Sequence, residues 1–310
     1  MGLLGKEQKV LRVDNKNGEL ETTDRCSRRR FLRYAFDTVL VASCIPLTRS
    51  HAGDKNASCR GAKFDQTLRF AIISDGHWGE NGTLGDYRKN FAEMVAWLNE
   101  EQVDHGLDLV IFNGDIMNDD PHQLSEAKAV LDKLKTPLYV AKGNHDRVDD
   151  GIWEKTWGTP PNHDFEMGGY AFVIANTSNI HGKYLCPDDG WIDQRFAHYA
   201  DRKQIFLIMH ICPSGLGKKS KTCPEVIASI ERCENLAAVF HGHDHSFDGH
   251  RELNGVNYFW DGRFGASGGL GYKGYRIVEA HSDGTIFSYQ FDRAARRTVN
   301  KTTISPNITD

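Results

Sequence analysis

The chain has 310 residues, of which 39% are apolar and 26% charged, and a formal net charge of −4 at pH 7. Such a length and composition describe an ordinary globular protein with one large core or two modest ones, and the mild acidity argues against a strongly electrostatic nucleic-acid binder. Seven cysteines without a C-x-x-C pair exclude a zinc ribbon, and their irregular spacing is not that of a small disulfide scaffold.

Residues 1–25 are polar and carry little signal; Ser27-Arg28-Arg29-Arg30-Phe31-Leu32-Arg33 follows. It resembles a bacterial twin-arginine export signal, with Arg33 in the place of the usual lysine. The weakly apolar segment Tyr34 to Leu47 is too short, and with Asp37 too polar, to span a membrane convincingly. Ser50-His51-Ala52 has the small-x-small form of a signal-peptidase site, so cleavage after Ala52 is the simplest expectation for a leader over 1–52. Its rival is Val41-Ala42-Ser43-Cys44, which resembles a lipoprotein box and would make Cys44 an acylated first residue. The resemblance implies a periplasmic protein, or one anchored at the cell envelope through Cys44, with the twin-arginine machinery as a partner and membrane contact only if Cys44 is lipidated. A basic amphipathic helix on a cytosolic protein is the bland alternative. Losing residues 1–52 would leave a net charge of about −8. Twin-arginine export carries folded proteins, often with cofactors in place, which implies metal loading before export. Residues 53–66 are small and polar and read as a linker.

From 67 to 291 the pattern is that of one layered α/β domain. Leu68 to Ile73 reads as a strand and gives way to Ser74-Asp75-Gly76-His77. Asp86 is the expected N-cap of an amphipathic helix carrying Phe91, Met94, Val95 and Leu98. Leu107 to Phe112 is a second strand ending in Asn113-Gly114-Asp115, residues 122–135 a second helix, and Pro137 to Ala141 a third strand ending in Gly143-Asn144-His145-Asp146. The later half is less regular: a strand over Tyr170 to Ala175, a helix over Trp191 to Tyr199, and a strand over Gln204 to Met209 that stops at His210. A helix over Cys223 to Cys233 precedes a strand over Leu236 to Phe240 that runs into His241-Gly242-His243-Asp244-His245. Asn254-Gly255 and Asp283-Gly284 mark hairpins, and residues 292–310 are polar and read as a frayed tail.

Ligands in open α/β sheets gather outside the carboxyl ends of the strands, where all of these histidines and aspartates fall. Imidazole is the commonest metal-ligand side chain, and His243 and His245 can converge on one point if Gly242 lets the backbone turn. Hard oxygens mixed with imidazoles and no paired thiolates suit Mn, Fe or Zn. Seven candidate ligands exceed what one ion takes, and a carboxylate such as Asp115 can bridge two.

Five strand ends in order therefore hold Asp75-x-His77, Gly114-Asp115, Gly143-Asn144-His145-Asp146, His210 and Gly242-His243-x-His245. The set resembles the calcineurin-like metallophosphoesterases over residues 68–250, in their bacterial cyclic-nucleotide phosphodiesterase-like branch. The resemblance implies a four-layer α/β/β/α sandwich with one metal ion on Asp75, His77, Asp115 and His245 and a second on Asp115, Asn144, His210 and His243. It further implies hydrolysis of a phosphoester by in-line attack of a metal-bridging hydroxide, with no protein nucleophile. His145 resembles the family's non-ligand histidine, which polarises the phosphoryl group or protonates the leaving oxygen, and Asp146 is its expected orienting partner. Taken singly, Asp75 and Asp115 could be helix caps, Asn144 a turn residue and His210 a core histidine; the ordered set disfavours those readings.

Purple acid phosphatases place a tyrosine three residues after the bridging aspartate, where this chain has Asn118, so the iron–tyrosinate site is in doubt. Trp78, Trp153, Trp157 and Tyr184 can stack on a nucleobase or fill a core, and the loop Gly215 to Lys221 can meet an anion or stay solvated. The expected function is a phosphodiesterase acting on a small phosphoester. A phosphomonoesterase or a nuclease on the same site, and a non-catalytic metal-binding module, are the alternatives.

Overall fold

The computed structural model describes residues 65–82, 85–217, 219–265 and 269–306. The leader, Cys44, Ala52 and nearly all of the linker lie outside the described residues. Strand β1 (Gln66–Ile73), α1 (Tyr87–His105), β2 (Leu109–Asn113), α2 (Leu124–Leu131), β3 (Leu138–Ala141) and α3 (Asp150–Trp157) come first. Next are β4 (His163–Met167), β5 (Tyr170–Ile174), α4 (Asp189–His198), β6 (Ile205–Ile208), α5 (Pro224–Arg232) and β7 (Leu236–His241). Five more strands complete the set: β8 (His250–Leu253), β9 (Val256–Trp260), β10 (Gly274–His281), β11 (Ile286–Asp292) and β12 (Arg297–Ile304). Among the described residues no helix is long and apolar enough to cross a membrane.

Two six-stranded sheets form, in the orders β12-β11-β10-β1-β2-β3 and β4-β5-β6-β7-β9-β8. Within them β1, β2 and β3 run parallel, as do β5, β6, β7 and β9, so their carboxyl ends share one side of each sheet. Alternation along β1 sorts the core into layers: Phe70 and Ile72 point between the sheets, where they meet Phe172, Phe206 and Phe240. Ala71 and Ile73 point the other way, under Phe91, Met94 and Leu98 of α1 and Leu124 and Leu131 of α2. Val173 and Leu207 likewise face Ile192 and Phe196 of α4 and Val226 and Ile230 of α5. The result is the α/β/β/α sandwich.

Some elements depart from the pattern read in the sequence. The second helix begins with a short 3-10 turn over Pro121–Gln123 and ends at Leu131. Helix α3 lacks a clear apolar period, since Trp153 is its one fully buried side chain; its start is marked by Asp149, which accepts from the Gly151 and Ile152 amides. Trp153 and Trp78 are core residues, exposed by 0% and 3%, and cannot stack on a ligand. The frayed tail is corrected too: residues 297–304 form β12, paired antiparallel with β11 from Asp292↔Arg297 to Ile286↔Ile304. A strand at the sheet edge keeps one side in water, so its polar alternation is compatible with pairing.

Beneath the strand ends a buried ion pair joins the sheets. Arg276 on β10 donates from Nε to Asp261 Oδ1 at 2.8 Å, from Nη1 to Ser288 Oγ at 2.9 Å and from Nη2 to the Trp260 carbonyl at 2.6 Å. Asp261, just past β9, also accepts from Asn113 Nδ2 at 3.1 Å. Removing one partner leaves the other charge buried and unpaired, so Arg276→Ala should lose about 3–5 kcal/mol of stability. Urea unfolding measures this, and an unchanged midpoint would contradict the role given to the pair.

Candidate metal centre

Each candidate ligand stands where a buried parallel strand ends and the chain must turn at once. Asp75, His77, Asp115 and His243 have left-handed φ values of 55°, 49°, 54° and 65°. Such backbone costs non-glycine residues of order 1–3 kcal/mol each, and it persists where the surrounding structure enforces it, commonly at functional sites. The sharp turn after β7 is thus made at His243 and not at Gly242. Gly242 is required for a different reason: a Cβ there would run into Ser74 Oγ and lie 2.7 Å from Asp75 Oδ2.

Two groups of ligand atoms result, Asp75, His77, Asp115 and His245 in one and Asp115, His210 and His243 in the other, each with its atoms within 4.8 Å of one another. Asp115 belongs to both. Its Oδ1 accepts from the His145 amide at 2.8 Å, which fixes the carboxylate. Its Oδ2 is buried without a hydrogen-bond partner, 3.7 Å from His77 Nε2 and 3.1 Å from His210 Nε2. His245 Nε2 lies 3.0 Å from Asp75 Oδ1 and 3.1 Å from His77 Nε2. His210 donates from Nδ1 to the Asn113 carbonyl at 2.7 Å, which turns Nε2 toward the carboxylates. Asn144 is buried and its Oδ1 has no partner. Buried polar atoms normally find partners, so the Asn144 amide oxygen, Asp115 Oδ2 and His210 Nε2, all left without them, fit a set of cation ligands.

The charges agree with that reading. Burial pushes the Asp75 and Asp115 carboxyls up, but the imidazole of His210 and its neighbours outweigh it and hold both below the ordinary carboxylate range. In return, burial disfavours charge on His210, yet Asp115 and Asp75 raise it to about 10. A cation held by those carboxylates would take the place of that proton and leave His210 Nε2 free to ligate. His243 moves the opposite way: burial and the charge of His210 push it down to about 3, with Lys219 adding to the effect. It is therefore a neutral imidazole, the form that ligates. Lys219 lies in the Gly215 to Lys221 loop, whose charge thus reaches the site.

His145 is placed beside the first group, its ring 5.0 Å from that of His77, with a side chain one-third exposed. Its orienting partner is not Asp146. The Asp146 carboxylate is fully buried, accepts from the Met117 and Gly143 amides at 2.9 and 2.7 Å, and is pushed up to about 7 by burial and by Asp115. It shapes the turns that carry Asp115 and Asn144. Asp119 takes the orienting role, with Oδ1 2.9 Å from His145 Nδ1 and 2.9 Å from Arg147 Nε. A second carboxylate four residues after Asp115, in the same turn, was the available signal for it. Tyr184, read only as a candidate stacker, has its hydroxyl 2.6 Å from His243 Nε2. No sequence pattern links the two.

Residues 68–247 match the family model described as calcineurin-like phosphoesterase. A probable cyclic nucleotide phosphodiesterase from Fibrobacter succinogenes is 26% identical over 199 residues, covering 58% of this chain and 74% of its own length. The glycerophosphodiester phosphodiesterase GpdQ of Enterobacter lignolyticus is 27% identical over 205 residues, covering 58% and 71%. Among solved structures, a dimetal phosphatase from Danio rerio shares the fold with a TM-score of 0.61 at 13% identity, over 78% of this chain and 100% of that one. The purple acid phosphatase PPD1 of yellow lupin does so with a TM-score of 0.58 at 15% identity, over 77% and 53%. With the family model covering more than half of the residues, and the ends of β1, β2, β6 and β7 within it feeding metal-ligand atoms that share Asp115, the chain belongs to the calcineurin-like phosphoesterases.

Proposed function

We propose that the protein is an exported phosphodiesterase that works with two metal ions, drawn from Mn, Fe and Zn. The observation that carries the reading is Asp115, a buried carboxylate shared by two groups of ligand atoms with one oxygen left for cations. Asp75, His77, Asp115 and His245 would hold one ion, and Asp115, Asn144, His210 and His243 the other. Bound there, the ions supply Lewis acidity toward the phosphoryl oxygens and lower the pKa of a bound water. The chain's own groups do the rest. Asp75 and Asp115 keep negative charge in a buried site, and the neutral His243 offers a lone pair. His145, whose Nδ1–H donates to Asp119, would as the imidazolium present Nε2–H to the leaving oxygen and return to neutral imidazole on giving up that proton.

The names of the two curated relatives support a diester over a monoester. Purified protein loaded with Mn²⁺ should therefore hydrolyse bis-p-nitrophenyl phosphate with a higher kcat/KM than p-nitrophenyl phosphate. A preference for the monoester would replace this reading with a phosphatase.

Export is supported by the Ser27 to Arg33 sequence and by the Cys186–Cys223 disulfide, a bond that persists in oxidising compartments. Replacing Arg28 and Arg29 together by lysine should strand the precursor in the cytoplasm, because the receptor reads paired guanidiniums and not charge alone. Fractionation that finds the double variant still exported would remove the twin-arginine route. Incorporation of labelled palmitate would place the anchor at Cys44, and its absence would favour cleavage after Ala52.

A further inference from the structure

The loop between β5 and α4 meets the proposed second metal subsite at three points. Thr177 Oγ1 accepts from the amide of Ile211, next to His210, at 3.2 Å. Gly182, with φ of 73°, passes so close to Asn144 that a Cβ there would lie 2.6 Å from the Asn144 carbonyl oxygen. Tyr184, half-buried, places its hydroxyl 2.6 Å from His243 Nε2. One short loop thus lies against Asn144, His210 and His243, the three ligands that the second ion does not share with the first.

The loop is built to hold that position. Ser178 and Tyr184 form an antiparallel bridge, and the Leu185 amide donates to the Thr177 carbonyl at 2.8 Å. The Asn179 side-chain oxygen accepts from the amides of His181 and Lys183 at 2.9 and 3.0 Å. Two residues after Tyr184, Cys186 is bonded to Cys223, the residue just before α5. That crosslink ties the Tyr184 loop to the end of the basic segment that carries Lys219.

We infer that Tyr184 is a positioning residue of the second metal subsite: its phenol oxygen accepts the Nε2–H of His243, directs Nδ1 to the ion, and leaves the phenolic O–H to donate to a phosphoryl oxygen of the substrate. A metal-ligating histidine generally gives its other ring N–H to an oxygen, and Tyr184 is the partner that the geometry supplies. An acceptor that keeps its own proton is suited to an anionic oxygen, since it adds a donor without adding charge. The inference rests on the two-metal phosphoesterase reading.

The test compares the full chain, stripped of metal, with its Tyr184→Phe variant by calorimetric titration with Mn²⁺. Phenylalanine keeps the ring and removes only the hydroxyl. One of the two binding steps should lose about 10–100-fold in affinity while the other is unchanged. At saturating metal, inorganic phosphate should bind roughly tenfold more weakly to the variant, as expected when a hydrogen bond to a charged group is lost. Imidazole ¹⁵N shifts of the Zn²⁺-loaded protein give a second readout, with His243 expected to be protonated at Nε2 and metallated at Nδ1. Equal Mn²⁺ affinities in the two proteins, or a metal on His243 Nε2, would overturn the inference. Wild-type protein that binds Mn²⁺ twice but hydrolyses no phosphoester would defeat the functional reading and leave the Tyr184 comparison standing.

Discussion

Asp115→Asn should drop the metal content from two ions per chain toward one and remove nearly all turnover. The substitution keeps the size of the side chain, and its amide oxygen can still accept from the His145 amide as Oδ1 does now. What changes is the other arm. In place of Oδ2, which faces His77 Nε2 and His210 Nε2, a neutral N–H₂ donor would point at the cations. Two ions would lose the one anion they share, and the transition state would lose several kcal/mol of electrostatic stabilisation, a decrease of roughly 10³-fold or more in kcat. Elemental analysis and turnover on the same sample decide it. Two tightly held ions with full activity in the variant would end the assignment of Asp115 as the bridge.

His145→Ala should behave differently, keeping both ions and losing about 10²–10⁴-fold in rate. Its imidazole belongs to neither group of ligand atoms, and its Nδ1 is already taken by Asp119. If its work is to protonate the leaving oxygen, the defect should shrink as the leaving group becomes more acidic. An ester of p-nitrophenol needs little protonation, whereas an ester of a simple alcohol should show the whole loss. Asp119→Asn, which keeps the imidazole but weakens its anchor, should reproduce part of the defect with the same leaving-group dependence. A uniform loss across the ester series would move His145 to phosphoryl binding, and a loss of metal would make it a ligand.

The sandwich, and the gathering of Asp75, His77, Asp115, His210, His243 and His245 at the strand ends, were legible because they lie where the sequence pattern is strongest. Strands such as Leu109–Asn113 and Ile205–Ile208 are buried on both faces and read as apolar runs, so the polar residues that interrupt them mark the strand ends. The supports around the ligands were harder to read. Asp146 adjoins His145 in the chain, but in a tight turn neighbouring side chains diverge, and its carboxylate is taken up by two backbone amides. Asp119 reaches His145 from another strand end, and Tyr184 reaches His243 across 59 residues, with no periodicity to announce either contact. Strand β12 is equally hard to read from pattern alone, because an edge strand with polar residues on both faces resembles a tail until its partner, β11, is known.

The central claim is that two ions act together at this site, and a Mn²⁺ titration of turnover tests it most directly. Metal-stripped protein would receive Mn²⁺ in measured equivalents while hydrolysis of bis-p-nitrophenyl phosphate is followed. The shared carboxylate predicts little activity up to one equivalent, a rise between one and two, and a plateau at two. Full activity at one equivalent, or hydrolysis undiminished in the metal-stripped protein, would contradict it.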